Sequence, residues 1–193
     1  MARSSVFMAV LAAGASRRFG ETDKLAQRLR GKRLGEHICD QAPMDRIASN
    51  GAVVITPAED HPCRAAWERA GFQLALNARA DEGMGTSVAL AALLSAHAKA
   101  DALLIALADM PFVPRAHFEA LIDAYRDPGD LIASSCGAVR TPPVIFGRDR
   151  INELTRLSGD NGARLLLKDA KTLECPSEWL EDIDTPEALR RLS

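Results

Sequence analysis

Three charged residues far apart in the chain, Lys24, Asp109 and Asp184, have the types and settings for phosphate and metal chemistry. Lys24 follows VLAAGASRRFG (10–20), in which Ala12, Ala13, Gly14, Ala15 and Ser16 are all small. A backbone without bulky side chains can approach a ligand closely and present its N–H groups to phosphate oxygens. Arg17, Arg18 and Lys24 add positive charge of the kind that holds a triphosphate. Asp109 stands directly after the apolar run LLIALA, and Pro111 prevents that run from simply continuing as a strand. Asp182 and Asp184, in EDIDTPEAL, precede a helix start. If folding brings the loop and two carboxylates to one sheet edge, they make a Mg2+–nucleotide site. The ion there bridges phosphate oxygens and offsets charge at phosphorus during displacement. Each piece also has a plainer use. The loop can be an ordinary strand-to-helix turn, and the aspartates can be caps of the segments that follow them. The loop matches neither GxxxxGK[ST] nor GxGxxG, so P-loop and dinucleotide readings both fail.

The elements that must position these residues follow from the hydrophobic pattern. Short apolar runs alternate with amphipathic segments, which predicts βαβ units and a mainly parallel sheet. Strands are expected at 6–13, 51–57, 72–77, within 100–114 ending at Ala108-Asp109, and at 130–136, 142–147 and 172–176. Helices are expected at 34–49, broken at Pro43, at 61–71, closed by Gly71, and at 86–98 and 115–126. Two short helices separated by SGDNG are expected within 148–170. A last helix should begin with Thr185 as N-cap and Pro186 at its first position. The sum is a three-layer α/β/α domain spanning 1–193, with ligands at the carboxyl ends of the strands.

Composition narrows the function. A net charge of −2 over 193 residues gives no reason to expect nucleic acid or a membrane surface as partner. No apolar run approaches the roughly 20 residues of a membrane span. Cys39, Cys63, Cys136 and Cys175 form no CxxC, and a chain with a large core has no need of disulfides, so reduced and mostly buried thiols are expected. His37, His61, His97 and His117 fall singly, without zinc-ligand spacing, and are read as surface or helix residues. The apolar stretch 6–13 is short for a secretory h-region and has only Arg3 before it, so cytoplasm is the expected compartment.

LAAGASRRFG…K, NARADEGMGTSV, LADMPFV, GDNGAR and DIDTPEAL, in that order along nearly the whole chain, resemble the MobA-like nucleotidyltransferases, especially the molybdenum-cofactor cytidylyltransferase branch. The resemblance implies a Rossmann-like nucleotidyltransferase fold with a mostly parallel mixed sheet. It also implies Mg2+-dependent transfer of a nucleotide to a phosphorylated acceptor, with molybdopterin as that acceptor and a molybdoenzyme as downstream partner. On this resemblance Leu11, Ala12, Ala13 and Gly14 wrap the nucleotide, and Ser16, Arg17 and Lys24 meet the triphosphate. Asp109 and Asp184 hold the metal, with Asp182 a second candidate, while Lys24 and Arg17 stabilise the transition state. Asn77, Gly83 and Ser87 line the nucleotide side, and Met84, Gly159, Asp160 and Arg164 the acceptor side. Ala78 stands where the family pattern has proline, and Thr141-Pro142 where this branch tends to carry Gly-His-Pro. Ala13 is similar to the cytidine-using members, guanosine-using ones typically having glycine there, so CTP is favoured over GTP. The same chemistry on a sugar phosphate or a methylerythritol-type phosphate is the alternative within this class. A non-catalytic carrier of the molybdenum cofactor is the alternative outside it.

Overall fold

The computed structural model describes residues 4–14, 19, 23–159 and 167–193. The central strands β1 (Val6–Leu11) and β6 (Ala102–Leu107) pair in parallel from Val6↔Ala102 to Leu11↔Leu107. Neither contains a polar side chain, as strands covered on both faces require. On one side of β1 lie β4 (Ala52–Thr56) and then the edge strand β5 (Gln73–Leu76), both parallel to it. On the far side of β6 come β8 (Val139–Gly147), β7 (Leu131–Cys136) and β9 (Lys171–Glu174). The sheet order is therefore β5-β4-β1-β6-β8-β7-β9, with β8 antiparallel to its neighbours. A small hairpin, β2 (Arg28–Leu29) with β3 (Lys32–Arg33), stands apart from the main sheet.

Alternate residues of β1 feed two cores. Val6, Met8 and Val10 join Ile38 of α1 (Ile38–Gln41), Trp67 of α2 (Arg64–Arg69), and Phe118 and Leu121 of α4 (Arg115–Ala124) in one apolar cluster. Phe7, Ala9 and Leu11 join Val88, Ala91 and Ala92 of α3 (Met84–His97), and Ile151 and Leu154 of α5 (Arg148–Leu154), in the other. The closing helix α6 (Pro186–Leu192) packs Ala188, Leu189 and Leu192 on the first cluster. This is the Rossmann-like α/β/α arrangement with a mostly parallel, mixed sheet. The chain leaves β1 toward β4 and later returns to β6 on the other flank. The loops after β1 and β6 therefore open onto one crevice at the carboxyl edge, where such sheets bind ligands.

Several boundaries differ from the sequence expectation. The helix expected over 34–49 is three short pieces, a 3-10 turn Leu34–Glu36, α1, and a second turn Met44–Arg46. Pro43 drives its predecessor Ala42 to an extended ψ of 129°, which ends α1. Helix α3 starts two residues before the expected 86, because Gly83 at φ 109° supplies the turn that launches it. Strand β1 stops at Leu11 instead of 13, and β8 begins at Val139, three residues before the expected 142. In the region 148–170, α5 and a 3-10 turn Leu167–Asp169 are seen. The hairpin β2–β3 had no anticipating signal strong enough to read. By contrast, α6 starts as expected, with Thr185 Oγ1 accepting the Ala188 amide hydrogen and Pro186 in the first turn.

Candidate active site

Lys24 opens a 3-10 turn, Lys24–Ala26, capped by Asp23, whose Oδ1 accepts the Leu25 amide hydrogen at 2.9 Å. Asp109 lies just past the end of β6. Its backbone carbonyl accepts a hydrogen bond from the Ile183 amide at 3.0 Å, and Ile183 is fully buried. That anchor carries the acidic segment before α6 to the same edge of the sheet. The three distant charges thereby meet: Lys24 Nζ is 2.5 Å from Asp109 Oδ2 and 2.6 Å from Asp184 Oδ1. The Lys24 and Asp109 side chains are only 10% and 18% exposed, whereas Asp184 is 40% exposed at the mouth. The cluster is closed toward the protein and open toward solvent.

Burial alone would lower the Lys24 pKa, but Asp109 first and Asp184 next outweigh it and raise the pKa above its ordinary value. The ammonium is therefore kept charged at neutral pH. The Asp182 pKa is raised as well, which for a carboxyl favours the neutral form. Partial desolvation, and then the negative charges of Asp184 and Asp109, raise its pKa above the usual carboxylate range. Asp182 thus feels the charge of the cluster, while the lysine ion pairs are made by Asp109 and Asp184.

The donor set fits a hard divalent cation. Asp109 Oδ1 is buried and receives no hydrogen bond from the described residues, an arrangement that leaves a carboxylate lone pair uncommitted among them. Among the described residues no cluster of three or more His, Cys, Asp or Glu side chains could hold a metal by itself. Two carboxylates with the remaining positions left to phosphate oxygens and water is how Mg2+ is usually bound in nucleotide sites. Asp109 and Asp184 are the residues that would hold it.

Of the described small residues after β1, only Gly14 is exposed. Leu11, Ala12 and Ala13 are buried, Gly14 is exposed, and a Cβ placed on Gly14 would meet nothing within 4 Å. Ser16 and Arg17 lie outside the described residues, as do Asp160 and Arg164. Asn77 and Ser87 are buried and bonded to each other. Asn77 Nδ2 donates to Thr86 Oγ1 at 2.9 Å and to Ser87 Oγ at 2.8 Å, and its Oδ1 accepts the Arg79 amide hydrogen. Both amide hydrogens of Asn77 are thereby engaged, so its side chain staples the 77–83 loop to the first turn of α3. Gly85 in that turn donates its N–H to the Gly159 carbonyl at 2.8 Å. A Cβ on Gly85 would lie 2.6 Å from that same oxygen, so only glycine permits this approach. The turn bearing Gly83 and Met84 is thus joined to Gly159, bringing described parts of the expected acceptor side together. Met84 is 45% exposed there.

Residues that sequence reasoning missed cluster behind Lys24. His61 is buried, not a surface residue, and its Nε2 stands 2.6 Å from Asp23 Oδ2. His117 is a helix residue, as expected, but also buried, with Nε2 2.8 Å from Ser134 Oγ and burial holding its pKa below the ordinary value. The four cysteines are free thiols, Cys63 and Cys175 buried, Cys39 and Cys136 half-buried. Asp23 was legible in principle, as an aspartate directly before a short helical turn. Nothing in the sequence marked His61 or Gly85. No helix among the described residues is long and apolar enough to cross a membrane.

Comparison with known proteins bears on what this geometry is for. Residues 8–175 match the sequence-family model of the MobA-like NTP transferase domain. The chain is 33% identical over 191 residues to the purine catabolism protein PucB of Bacillus subtilis (strain 168), covering 92% of this chain and 90% of that one. It is 30% identical over 199 residues to nicotine blue oxidoreductase of Paenarthrobacter nicotinovorans, covering 95% and 94%. Among solved structures, Rv0371c from Mycobacterium tuberculosis H37Rv is similar with a TM-score of 0.71 at 24% identity, over 100% of this chain and 98% of that one. A complex of Rv0371c with manganese is similar at a TM-score of 0.68 and 22% identity, over 98% of each chain.

Proposed function

The chain belongs to the MobA-like NTP transferase domain family, and from that premise we propose that it transfers CMP from CTP to the phosphate of a molybdopterin-type acceptor. The observation that carries the reading is the Lys24 ammonium between Asp109 and Asp184, with Asp109 Oδ1 buried and receiving no hydrogen bond from the described residues. In the reaction an acceptor phosphate oxygen attacks the α-phosphorus. The new P–O bond forms as the bond from the α-phosphorus to the oxygen bridging it to the β-phosphorus breaks, and pyrophosphate leaves with that electron pair. The acceptor phosphate is already ionised at neutral pH, so no protein nucleophile or general base is required.

What the chain supplies is positioning and charge. Lys24 brings a permanent cation to the triphosphate, and Arg17 is assigned a second. The small residues Ala12 to Gly14 let the nucleotide lie against backbone, and Leu11 ends the strand that holds them. Asp109 and Asp184 would hold Mg2+, which when bound would offset part of the triphosphate charge and stabilise the departing pyrophosphate. Asn77, Gly83 and Ser87 shape the nucleotide side of the crevice, chiefly by fixing the loop they share. Met84, Gly159, Asp160 and Arg164 are assigned to the acceptor. Ala13 supports CTP over GTP, since its methyl group crowds the space a purine would need. We place the reaction in the cytoplasm, with a molybdoenzyme as the recipient of the product.

The test is pyrophosphate release from CTP, GTP and other nucleotides with Mg2+, offering molybdopterin, a sugar phosphate or a methylerythritol-type phosphate as acceptor. Release that requires CTP and molybdopterin is the expected result. Release with another pair keeps the chemistry and reassigns the substrates. Tight molybdopterin binding without pyrophosphate from any nucleotide would make the chain a cofactor carrier and overturn the reading.

A further inference from the structure

Behind the Lys24 turn sits a small buried assembly that the reaction as described does not use. Its members come from the segment after β4 and from α2. Trp67 is fully buried and donates its Nε1–H to the Gly35 carbonyl at 2.6 Å. The His61 ring stacks on it with centroids 4.6 Å apart and planes 26° from parallel. The Cys63 amide donates to His61 Nδ1 at 3.1 Å. A ring nitrogen that accepts a hydrogen bond carries no proton, so in the neutral ring the proton is on Nε2. Nε2 is the nitrogen 2.6 Å from Asp23 Oδ2, a close polar contact between the ring edge and the carboxylate.

The consequence for Lys24 follows from what Asp23 is prevented from doing. A carboxylate adjacent in sequence to a lysine is a natural competitor for its ammonium. Here Asp23 Oδ1 is engaged by the Leu25 amide and Oδ2 by His61. Each oxygen thus has a partner, Oδ1 in the cap and Oδ2 at His61, and the Lys24 ammonium pairs with Asp109 and Asp184. A second tether reaches the same turn from the same segment, the Cys63 thiol donating to the Leu25 carbonyl at 3.4 Å. The space is filled closely. A Cβ on Gly35 would lie 3.1 Å from Cys63 Sγ and 3.2 Å from both Leu25 Cβ and the Trp67 ring.

We propose that His61, held by Trp67 and the Cys63 amide, is a positioning residue that locks Asp23 as the cap of the Lys24 turn and thereby aims the Lys24 ammonium at the Asp109–Asp184 pair. The proposal rests on the reading of Lys24 as the cation that meets the triphosphate, and it adds a part of the machinery that never touches substrate. It separates two functions of one ring. The Nδ1 acceptor holds the 61–63 turn together, and the Nε2–H edge holds Asp23.

Three variants of the full-length chain divide these functions. His61→Gln keeps a donor near the position of Nε2, His61→Asn keeps an acceptor near that of Nδ1, and His61→Ala keeps neither. The first readout needs no activity: the proton–nitrogen NMR signal of the Lys24 ammonium, assigned by its disappearance in Lys24→Met. The signal is expected to persist in His61→Gln and to shift or broaden away in His61→Asn and His61→Ala. The second readout is pyrophosphate release. There kcat should fall about 10²-fold in His61→Asn and His61→Ala, with KM for the nucleotide little changed, as expected for a misplaced group near the chemistry. His61→Gln should recover most of the kcat, while thermal stability should be better kept by His61→Asn. An unchanged Lys24 signal in both His61→Ala and His61→Asn overturns the proposal, whatever the activity. Equal kcat losses in the Gln and Asn variants overturn it as well. If the wild type releases no pyrophosphate, the functional reading fails by itself, and the ammonium signal still decides the positioning role.

Discussion

Replacing Asp109 by asparagine separates the structural use of this carboxylate from its use in catalysis. The amide side chain would keep an oxygen able to accept from Lys24 but would remove the charge now 2.5 Å from Nζ. Breaking a buried ion pair outright costs roughly 3–5 kcal/mol, because one charge is left uncompensated. Lys24 is not left so, since Asp184 remains 2.6 Å away on the other side. The loss is therefore closer to that of one charge-assisted hydrogen bond, about 1.5–3 kcal/mol. For a chain of this size that corresponds to a fall in Tm of about 3–12 °C, at roughly 2–4 °C per kcal/mol. The activity should fall much further. Removing one preorganised electrostatic contact from a transition state commonly costs about 10²–10³ in kcat, and here the buried Oδ1 lone pair offered to a cation is altered too. Steady-state pyrophosphate release across a Mg2+ titration, with a thermal melt of the same preparation, measures both. A folded variant with kcat within about threefold of wild type, a change of under about 1 kcal/mol in the barrier, would refute the metal and charge assignment together.

Other outcomes follow from particular contacts. Ala13→Gly should move the CTP/GTP preference toward GTP in competition assays, and an unchanged ratio would remove the basis for choosing cytidine. Gly85→Ala puts a methyl carbon against the Gly159 carbonyl, so the α3 turn and the 158–159 backbone must part. The expected result is a raised KM for the acceptor with the nucleotide KM nearly unchanged, read from two-substrate kinetics. Away from the site, Asp130 is buried and accepts from the Arg126 and Asp127 amides, and Lys171 Nζ stands 2.5 Å from its Oδ1. Burial opposes ionisation, but Lys171 and the two amides outweigh it and lower the Asp130 pKa in the folded chain. Its stabilising contribution is therefore fully present above the ordinary carboxylate pKa and is lost as pH falls through the lowered value. Thermal melts between about pH 5 and pH 2 should show a shallower acid dependence in Asp130→Asn than in wild type. Parallel acid limbs would show that Asp130 does not contribute.

Much of the molecule was legible because its signals are local. The short unbroken apolar runs of β1 and β6 suit strands covered on both sides, and Thr185 with Pro186 announces a helix start. The small loop, Lys24, Asp109 and the DIDTPEAL segment could each be singled out by residue type, and their order along the chain pointed to a family. The 34–49 segment misled because its apolar spacing suits a helix while Pro43 enforces an extended residue before it. The early start of α3 was hidden because it turns on the positive φ of Gly83, which residue type permits without requiring.

Distance along the chain is what the sequence could not convert into distance in space. Lys24 meets carboxylates 85 and 160 residues away only because β1 and β6 are neighbours and the Ile183 amide is pinned to the Asp109 carbonyl. The sequence determined which chemical groups are on hand, since small-residue loops, lysines and carboxylates carry their charges and hydrogen-bonding capacity with them. Tertiary structure decided which of those groups share one crevice. It gave Asn77 an internal role as a staple, and it placed an otherwise unremarked histidine behind the lysine. Such placements depend on burial and on partners contributed by other elements, and neither is a property of a residue or its neighbours in the chain.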